Sequence, residues 1–478
     1  MERFLRLFTD IRKGEAPTAL LLTLNVFLIF TAYYIIKPVR EALILAGGGA
    51  VVKSYISAGQ ALLLLFVAVP LYGWLASRLP RRRLINLVTV FFASCLAVFY
   101  VLAQAKVPLG IVFFLWVGIF NLMVVAQFWS FANDVYTTDE GKRLFPIVAF
   151  GASFGAVFGS FATGRLIEPL GVYQLMLVAG ALLLVGVVLT NVVDARERRR
   201  TEKSRAVAAS TAEQPAATQE IRLESGEFKI ADLKQAMEEK PAEKPAPKKE
   251  SLGGGNAFGL VFRNQYLLLI AFLILVLNWV NTNGEYILGA TVAATANRMV
   301  AAGHANGLSA EQIIGRFYSD FYSAVNLTGL LLQLFAVSRI LKWFGVRVAI
   351  LILPAISLLG YGVLAFVPVL GMIRLAKVAE NSADYSIQST TRNVLFLPTT
   401  REEKYKAKQA IDSFFVRAGD VLSAAVVYVG TTLLPLAVPQ FAMLNMALVL
   451  VWLVLAVLIG RKYTQVAAAA AAGQAQPA

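Results

Sequence analysis

One cysteine and one histidine stand in the whole 478-residue chain. Cys95 lies inside an apolar segment and has no partner for an intramolecular disulfide, so packing is its expected role. His304 falls in a polar loop with no second side chain of its kind, and no metal centre is expected. Charge is scarce as well. Only 15% of the residues are Asp, Glu, Lys or Arg, 58% are hydrophobic, and the mean hydropathy is +0.66. That balance excludes an ordinary soluble protein of this length. The chain also lacks a nucleophile–base pair, a metal-ligand cluster and a complete phosphate-binding loop. Gly47-Gly48-Gly49 and Gly253-Gly254-Gly255 are loop glycines without the rest of such a motif. Neither an enzyme nor an ATP-driven pump is expected, and no cofactor is implied.

Long apolar runs are what the chain has in place of these. Residues 58–76, 84–104, 172–193, 266–280 and 441–460 carry almost no charge. Most approach the ~20 residues needed to cross hydrocarbon, and about twelve such segments are counted on that length. Six occupy residues 17–193 and six occupy 262–460. The net charge is +15, and the basic residues are not scattered. Arg3, Arg6, Arg12 and Lys13, then Arg78, Arg81, Arg82 and Arg83, then Lys142 and Arg143 sit in alternate connections. Arg339, Lys342 and Arg347, then Arg401, Lys404, Lys406 and Lys408, and finally Arg461 and Lys462 continue the pattern. The intervening loops hold little more than Lys53, Lys106, Arg298 and Arg316. This asymmetry puts both termini in the cytoplasm and argues against nucleic-acid binding.

Composition divides the chain. Residues 1–193 form a first six-helix unit, preceded by an amphipathic stretch at 1–13 expected along the membrane interface. Residues 194–256 are rich in Ala, Glu, Lys, Arg, Pro and Gln, with too little apolar content to offset the entropy of ordering. They read as a disordered cytoplasmic linker with a short helix at 230–237. Residues 257–462 form the second unit, and the Ala-rich tail at 463–478 reads as disordered. Thr137-Thr138-Asp139-Glu140 and Thr399-Thr400-Arg401-Glu402 follow corresponding spans, so the units look like repeats. The expected fold is an all-α membrane protein with twelve transmembrane helices in two pseudo-symmetric six-helix bundles.

Ionisable groups inside the apolar segments carry the functional signal. From residue 370 to 397, Arg374, Lys377, Glu380, Asp384, Gln388 and Arg392 recur every three or four positions, which puts them on one helical face. A charge near the bilayer centre costs roughly 2.5–3.5 kcal/mol on insertion scales, so such a face is expected to line a hydrated cavity. The first span carries Lys37, Arg40 and Glu41 on one face, with Pro38 placed to kink it. Two cations close together suit an anion, which Arg grips with two parallel bonds. The seventh span ends in Asn278, Asn281, Asn283, Gly284 and Glu285, and Gly284 is expected to break the helix beside a cavity. In the eleventh, Arg417 and Asp420 stand three apart, near enough to pair. Gly151, Gly155 and Gly159 make a GxxxGxxxG ridge for close helix packing.

Two bundles joined by a cytoplasmic linker, with a basic loop at 73–83, resemble the major facilitator superfamily. Within it, the chain resembles the ATP:ADP antiporter, or Tlc nucleotide transporter, family. The marks are residues 33–45, Phe128-Trp129-Ser130-Phe131-Ala132-Asn133, residues 384–398 and Lys408-Gln409-Ala410-Ile411-Asp412 through Gly419. The resemblance implies exchange of nucleotides or similar phosphorylated anions, with substrate-handling charges in the first, seventh and eleventh spans. Arg40 falls where that family carries a lysine, Asn281 where it carries a glutamate, and Asp420 where a second lysine would stand.

The expectation is therefore a secondary transporter, an ATP:ADP-antiporter-like carrier with nucleotide-binding and ATP-binding capacity, working by alternating access. The expected substrate-binding residues are Lys37, Arg40, Asn281, Arg374, Lys377, Arg392 and Arg417. Glu41, Glu285, Glu380, Asp384 and Asp420 are expected to bind coupling ions or to pair the cations. The expected partners are a small anionic substrate and the lipid bilayer, with no nucleic acid. The expected state is a monomer in a bacterial inner membrane. A proton-coupled carrier of another solute and a non-transporting membrane scaffold are the competing readings.

Overall fold

Apolar stretches of this length leave the backbone no water to bond, and a helix satisfies every amide internally. The computed structural model describes residues 12, 15–136, 138–212, 257–400 and 402–474. All regular structure among them is helical. The chain runs through α1 (Ala16–Gly47), α2 (Gly49–Arg78), α3 (Arg81–Gln104), α4 (Gly110–Val135), α5 (Thr138–Leu170) and α6 (Gln174–Ala212). A short turn of helix at Ala257–Arg263 leads into α7 (Gln265–Ala301), α8 (Ala310–Trp343) and α9 (Gly345–Phe366). Next, α10 runs Leu370–Ala383, makes a π-turn at Asp384–Gln388 and resumes over Ser389–Leu395. α11 is pieced together from Glu403 to Leu433 with π-turns at both ends, and α12 spans Val438–Gln474.

Ten of these helices, all but α10 and α11, are long and apolar enough to cross a membrane. They carry large exposed apolar side chains such as Val188, Leu359 and Phe366, the surface a bilayer requires. One apolar core is built wholly from residues of α1–α6; a second comes mainly from α7–α12, joined by a few residues of α1, α2, α4 and α5. Residues 195–256 form a separate unit. Its described part, 195–212, continues α6 beyond the point where the linker was expected to begin. The Ala-rich tail is likewise helical as far as Gln474, because alanine is the best helix former. The amphipathic start (apart from Arg12), Thr137, the 230–237 helix and most of the linker lie outside the described residues.

Contacts between the first six helices and the rest gather at one end. Ser319 of α8 donates to the Ser160 carbonyl of α5 at 2.5 Å, and Asn326 donates to the Ala156 carbonyl at 3.2 Å. Arg316 pairs with Glu168, and the Tyr173 hydroxyl bonds Glu311 at 3.2 Å. Burial and the adjacent Glu311 carboxylate push the Tyr173 hydroxyl up to about 12. All of these lie toward the loops that follow α1, α5 and α7. The opposite end carries the start of α1 and the α2–α3 turn, and there a cavity of about 730 Å³ separates Leu64, Phe66 and Leu122 from Gln409, Ser413 and Arg417. Within residues 15–194 and 257–474, the first six helices are thus bonded to the rest at one closed end and parted from them by this cavity at the other, open end.

The glycine ridge does what its spacing predicts. A Cβ on Gly151, Gly155 or Gly159 would stand 2.7, 2.4 or 2.5 Å from the Thr23, Phe27 or Thr31 carbonyl oxygen, so α5 lies directly against the α1 backbone. Gly155→Leu is expected to force these helices apart at a cost of about 1–3 kcal/mol or more. A drop in the thermal midpoint of the purified protein checks it.

At the open end, Arg143 clamps Glu15 with two bonds of 2.9 and 3.0 Å. Those bonds hold the Glu15 carboxyl below its ordinary 4.5, against the opposing effect of burial. A depressed carboxylate stabilises the fold fully above its unfolded value and loses that contribution as pH falls through the folded value. The melting curves of the parent and of Glu15→Gln should therefore differ at neutral pH and converge in acid.

Candidate functional site

Lys37, Arg40 and Glu41 sit on the last turns of α1, where Pro38 occupies the helix interior and Glu41 is fully buried. A buried carboxylate needs cations, and Glu41 has two: Arg40 beside it and Lys53 of α2 at 2.7 Å. Lys53 also approaches Glu285 of α7 at 3.9 Å. Glu285 in turn lies 3.7 Å from Lys377 of α10 and accepts from Asn381 at 3.2 Å. Lys377 is 1% exposed and bonds Glu380 and the Asn281 side-chain oxygen, both at 2.9 Å. Glu380 is completed by the Tyr361 hydroxyl at 3.0 Å and Ser357 at 3.3 Å, both from α9. The result is a continuous chain of alternating charge, Arg40, Glu41, Lys53, Glu285, Lys377, Glu380, reaching from α1 to α10.

Lys37 stands apart from this chain. It is 9% exposed, and among the described residues it forms no ion pair. Its ammonium lies 4.0 Å from the Tyr322 ring centre, 5.2 Å from Tyr34 and 5.9 Å from Tyr385. These rings come from α8, α1 and α10. Tyr34 and Tyr385 also border a cavity of about 220 Å³ between α1 and α5 on one side and α8 on the other. Arg40 rests its guanidinium 4.7 Å from the Phe114 ring. Cation–π contacts of this kind contribute about 0.5–2 kcal/mol and leave the cation's hydrogen-bonding capacity open to a ligand.

A second void of about 370 Å³ opens between α7, α10 and α11, lined by Asn278, Asn281, Asp384, Arg392, Phe396, Lys408 and Asp412 among others. Asn281 borders it on one side and accepts from Lys377 on the other, linking the void to the charge chain. Lys408 is paired with Asp412 at 2.6 Å.

The structure thus brings together Lys37, Arg40, Glu41, Asn281, Glu285, Lys377 and Glu380. Asp384 and Arg392 line the adjoining void. Arg374 lies elsewhere, 5.6 Å from the Phe317 ring on the closed side. Arg417 lines the 730 Å³ cavity and pairs with Asp420 at 3.2 Å, and Asp420 also accepts from Asn278 and Thr282 of α7. Two residues depart from expectation. Lys53 is no loop residue; it is 7% exposed inside α2, in the centre of the charge chain. Gly284 does not break α7, which runs unbroken from Gln265 to Ala301. A Cβ there would meet the Tyr361 hydroxyl at 2.1 Å, so the glycine admits the tyrosine that holds Glu380. The tyrosine cage carried no sequence signal, since its members look like ordinary membrane aromatics.

A family model described as Major Facilitator Superfamily matches residues 21–382, and one described as TLC ATP/ADP transporter matches residues 341–463. The chain belongs to the Major Facilitator Superfamily. No curated protein sequence matches it significantly. Solved structures with the same fold include a bacterial homologue of the iron transporter ferroportin in an inward-facing state, 12% identical with a TM-score of 0.60 over 94% of this chain and 100% of that one. The nucleoside transporter NupG is 13% identical, TM-score 0.54, over 96% and 100%. A bacterial homologue of the lysosomal transporter Spinster is 13% identical, TM-score 0.55, over 96% and 99%. The protein is an integral membrane transporter and not an enzyme.

Proposed function

We propose that this carrier moves a nucleotide or a closely related phosphorylated anion by alternating access, with Lys37 and Arg40 as its primary anion-binding cations. The observation that carries the reading is the state of Lys37: a buried ammonium with no ion-pair partner among the described residues, ringed by three tyrosines, two of which border a void. An isolated buried cation is costly, and an anionic ligand removes that cost. Aromatic walls add a surface on which a planar base stacks. The TLC match over residues 341–463 supports the same class. Arg392 and Asn281, facing the 370 Å³ void, would receive the other end of the ligand.

In this reading α10 and α11 complete a set of twelve spans. Residues 1–193 and 257–462 form two pseudo-symmetric bundles, joined by the linker at 194–256. The basic connections place both termini in the cytoplasm of a bacterial inner membrane. The open end then faces inward, the state in which the ferroportin homologue was solved. A thermal-shift screen of the purified protein against ATP, ADP, sugar phosphates and organic anions tests the assignment. Stabilisation by nucleotides that is lost in Arg40→Ala and in Lys37→Met is the expected result. No response to any phosphorylated anion overturns it.

A further inference from the structure

The charge chain crosses between α1–α6 and α7–α12 through one contact, Lys53 to Glu285, and that contact is looser than the pairs on either side. Lys53 lies 2.7 Å from Glu41 of its own half, and Lys377 lies 2.9 Å from Glu380 of its own. Glu285 stands 3.9 Å from Lys53 and 3.7 Å from Lys377, and its side chain is 23% exposed where Glu41 and Glu380 are at most 5%. Each lysine therefore keeps a tight partner when Glu285 is withdrawn.

The charges are also divided unevenly. Helices α1 and α2 bring Lys37, Arg40 and Lys53 against the single carboxylate Glu41, whereas α7 and α10 bring Lys377 against Glu285 and Glu380. Parting the two sides with the site empty separates a cationic face from an anionic one inside a low-dielectric medium, which strong attraction opposes.

We propose that Lys53 is a gating residue, a latch whose contact with Glu285 keeps the closed end shut while no substrate is bound. Glu285 occupies the place of the transported anion between the two lysines. An arriving anion takes over Lys53 together with Lys37 and Arg40, neutralises the cationic face and releases Glu285 with its own half. A ligand shifts such an equilibrium only through differential contact with the two states, and Lys53 supplies that difference. The latch rests on the alternating-access reading of the fold, and its release rests on the anionic-substrate reading.

A cysteine at the closed end reports the latch without reference to transport. Ser319 is fully buried there against the Ser160 carbonyl. Ser319→Cys is placed in a Cys95→Ser background, and the purified protein is treated in detergent with a bulky polar maleimide. The parent should label slowly. Lys53→Met and Glu285→Gln should each label at least about tenfold faster, and Lys53→Arg should label at the parent rate. Unchanged labelling in both Lys53→Met and Glu285→Gln overturns the latch; should Lys53→Met fail to fold, the near-isosteric Glu285→Gln decides alone. Added ATP should speed labelling of the parent and leave Lys53→Met where it is. Fast labelling of Lys53→Met beside a parent that ignores both ATP and inorganic phosphate keeps the latch and sinks the nucleotide reading instead.

Discussion

Replacing Lys37 by methionine is expected to raise the melting temperature of the empty carrier and, in the same variant, to weaken its affinity for phosphorylated anions by about ten- to a hundredfold. The two effects share one cause. Lys37 is nearly as buried as the core, yet among the described residues it has tyrosine rings for company and no carboxylate within ion-pair distance. The π contacts recover only part of the cost of removing an ammonium from water. Methionine has a similar length and is unbranched and apolar, so it fills the cage at no such cost. Charge-assisted bonds to a ligand contribute about 1.5–3 kcal/mol, which sets the size of the loss in affinity. Thermal unfolding with and without ATP measures both. A variant less stable than the parent when empty, or one that binds anions undiminished, contradicts the role given to Lys37.

Lys377→Met should behave in the opposite way. Lys377 is 1% exposed and is the sole cation within 4 Å of Glu380 among the described residues, as well as one of two beside Glu285. Deleting one partner of a buried pair leaves an uncompensated charge, at a cost of about 3–5 kcal/mol. The single variant is expected to melt far below the parent or to be recovered only in small amounts. The double variant Lys377→Met/Glu380→Gln removes both charges, while the introduced carboxamide keeps a hydrogen-bonding group for Tyr361 and Ser357. It should regain most of the lost stability, and a double-mutant cycle on the melting data gives the coupling directly. Equal losses in the single and double variants would mean that Lys377 acts by packing rather than by charge.

Much of the candidate site was legible because charge inside an apolar run is costly and therefore seldom accidental. Lys37, Arg40, Glu41, Glu285, Lys377 and Glu380 were visible on that ground alone, and the structure draws them together. The regular stripe on α10 does not carry through the whole helix. The π-turn at Asp384–Gln388 adds a residue to one turn, so the polar positions after it no longer follow those before it. Arg374 precedes the π-turn and ends over Phe317 because it lies a turn of helix short of Lys377; Arg392, beyond the π-turn, faces the void. Nothing in the local sequence marks such a turn. Lys53 was missed for a different reason. It stands close to the Gly47–Gly49 turn and resembles a loop cation; only its partners on other helices, Glu41 and Glu285, give it a place in the interior. Gly284 has the look of a helix breaker in sequence, but its small size serves a tyrosine from another helix.

The closed end is held in two chemically different ways. Its inner strip consists of the Ser319 and Asn326 side chains bonded to main-chain carbonyls of α5, uncharged and shielded by packing. Its rim carries the Arg316–Glu168 pair, about half exposed on both sides. Mobile ions screen the rim and leave the strip untouched. Ionic strength should therefore act as a selective handle on this carrier: concentrated electrolyte loosens the outermost clasp, and the seam beneath stays shut until the buried charges themselves rearrange.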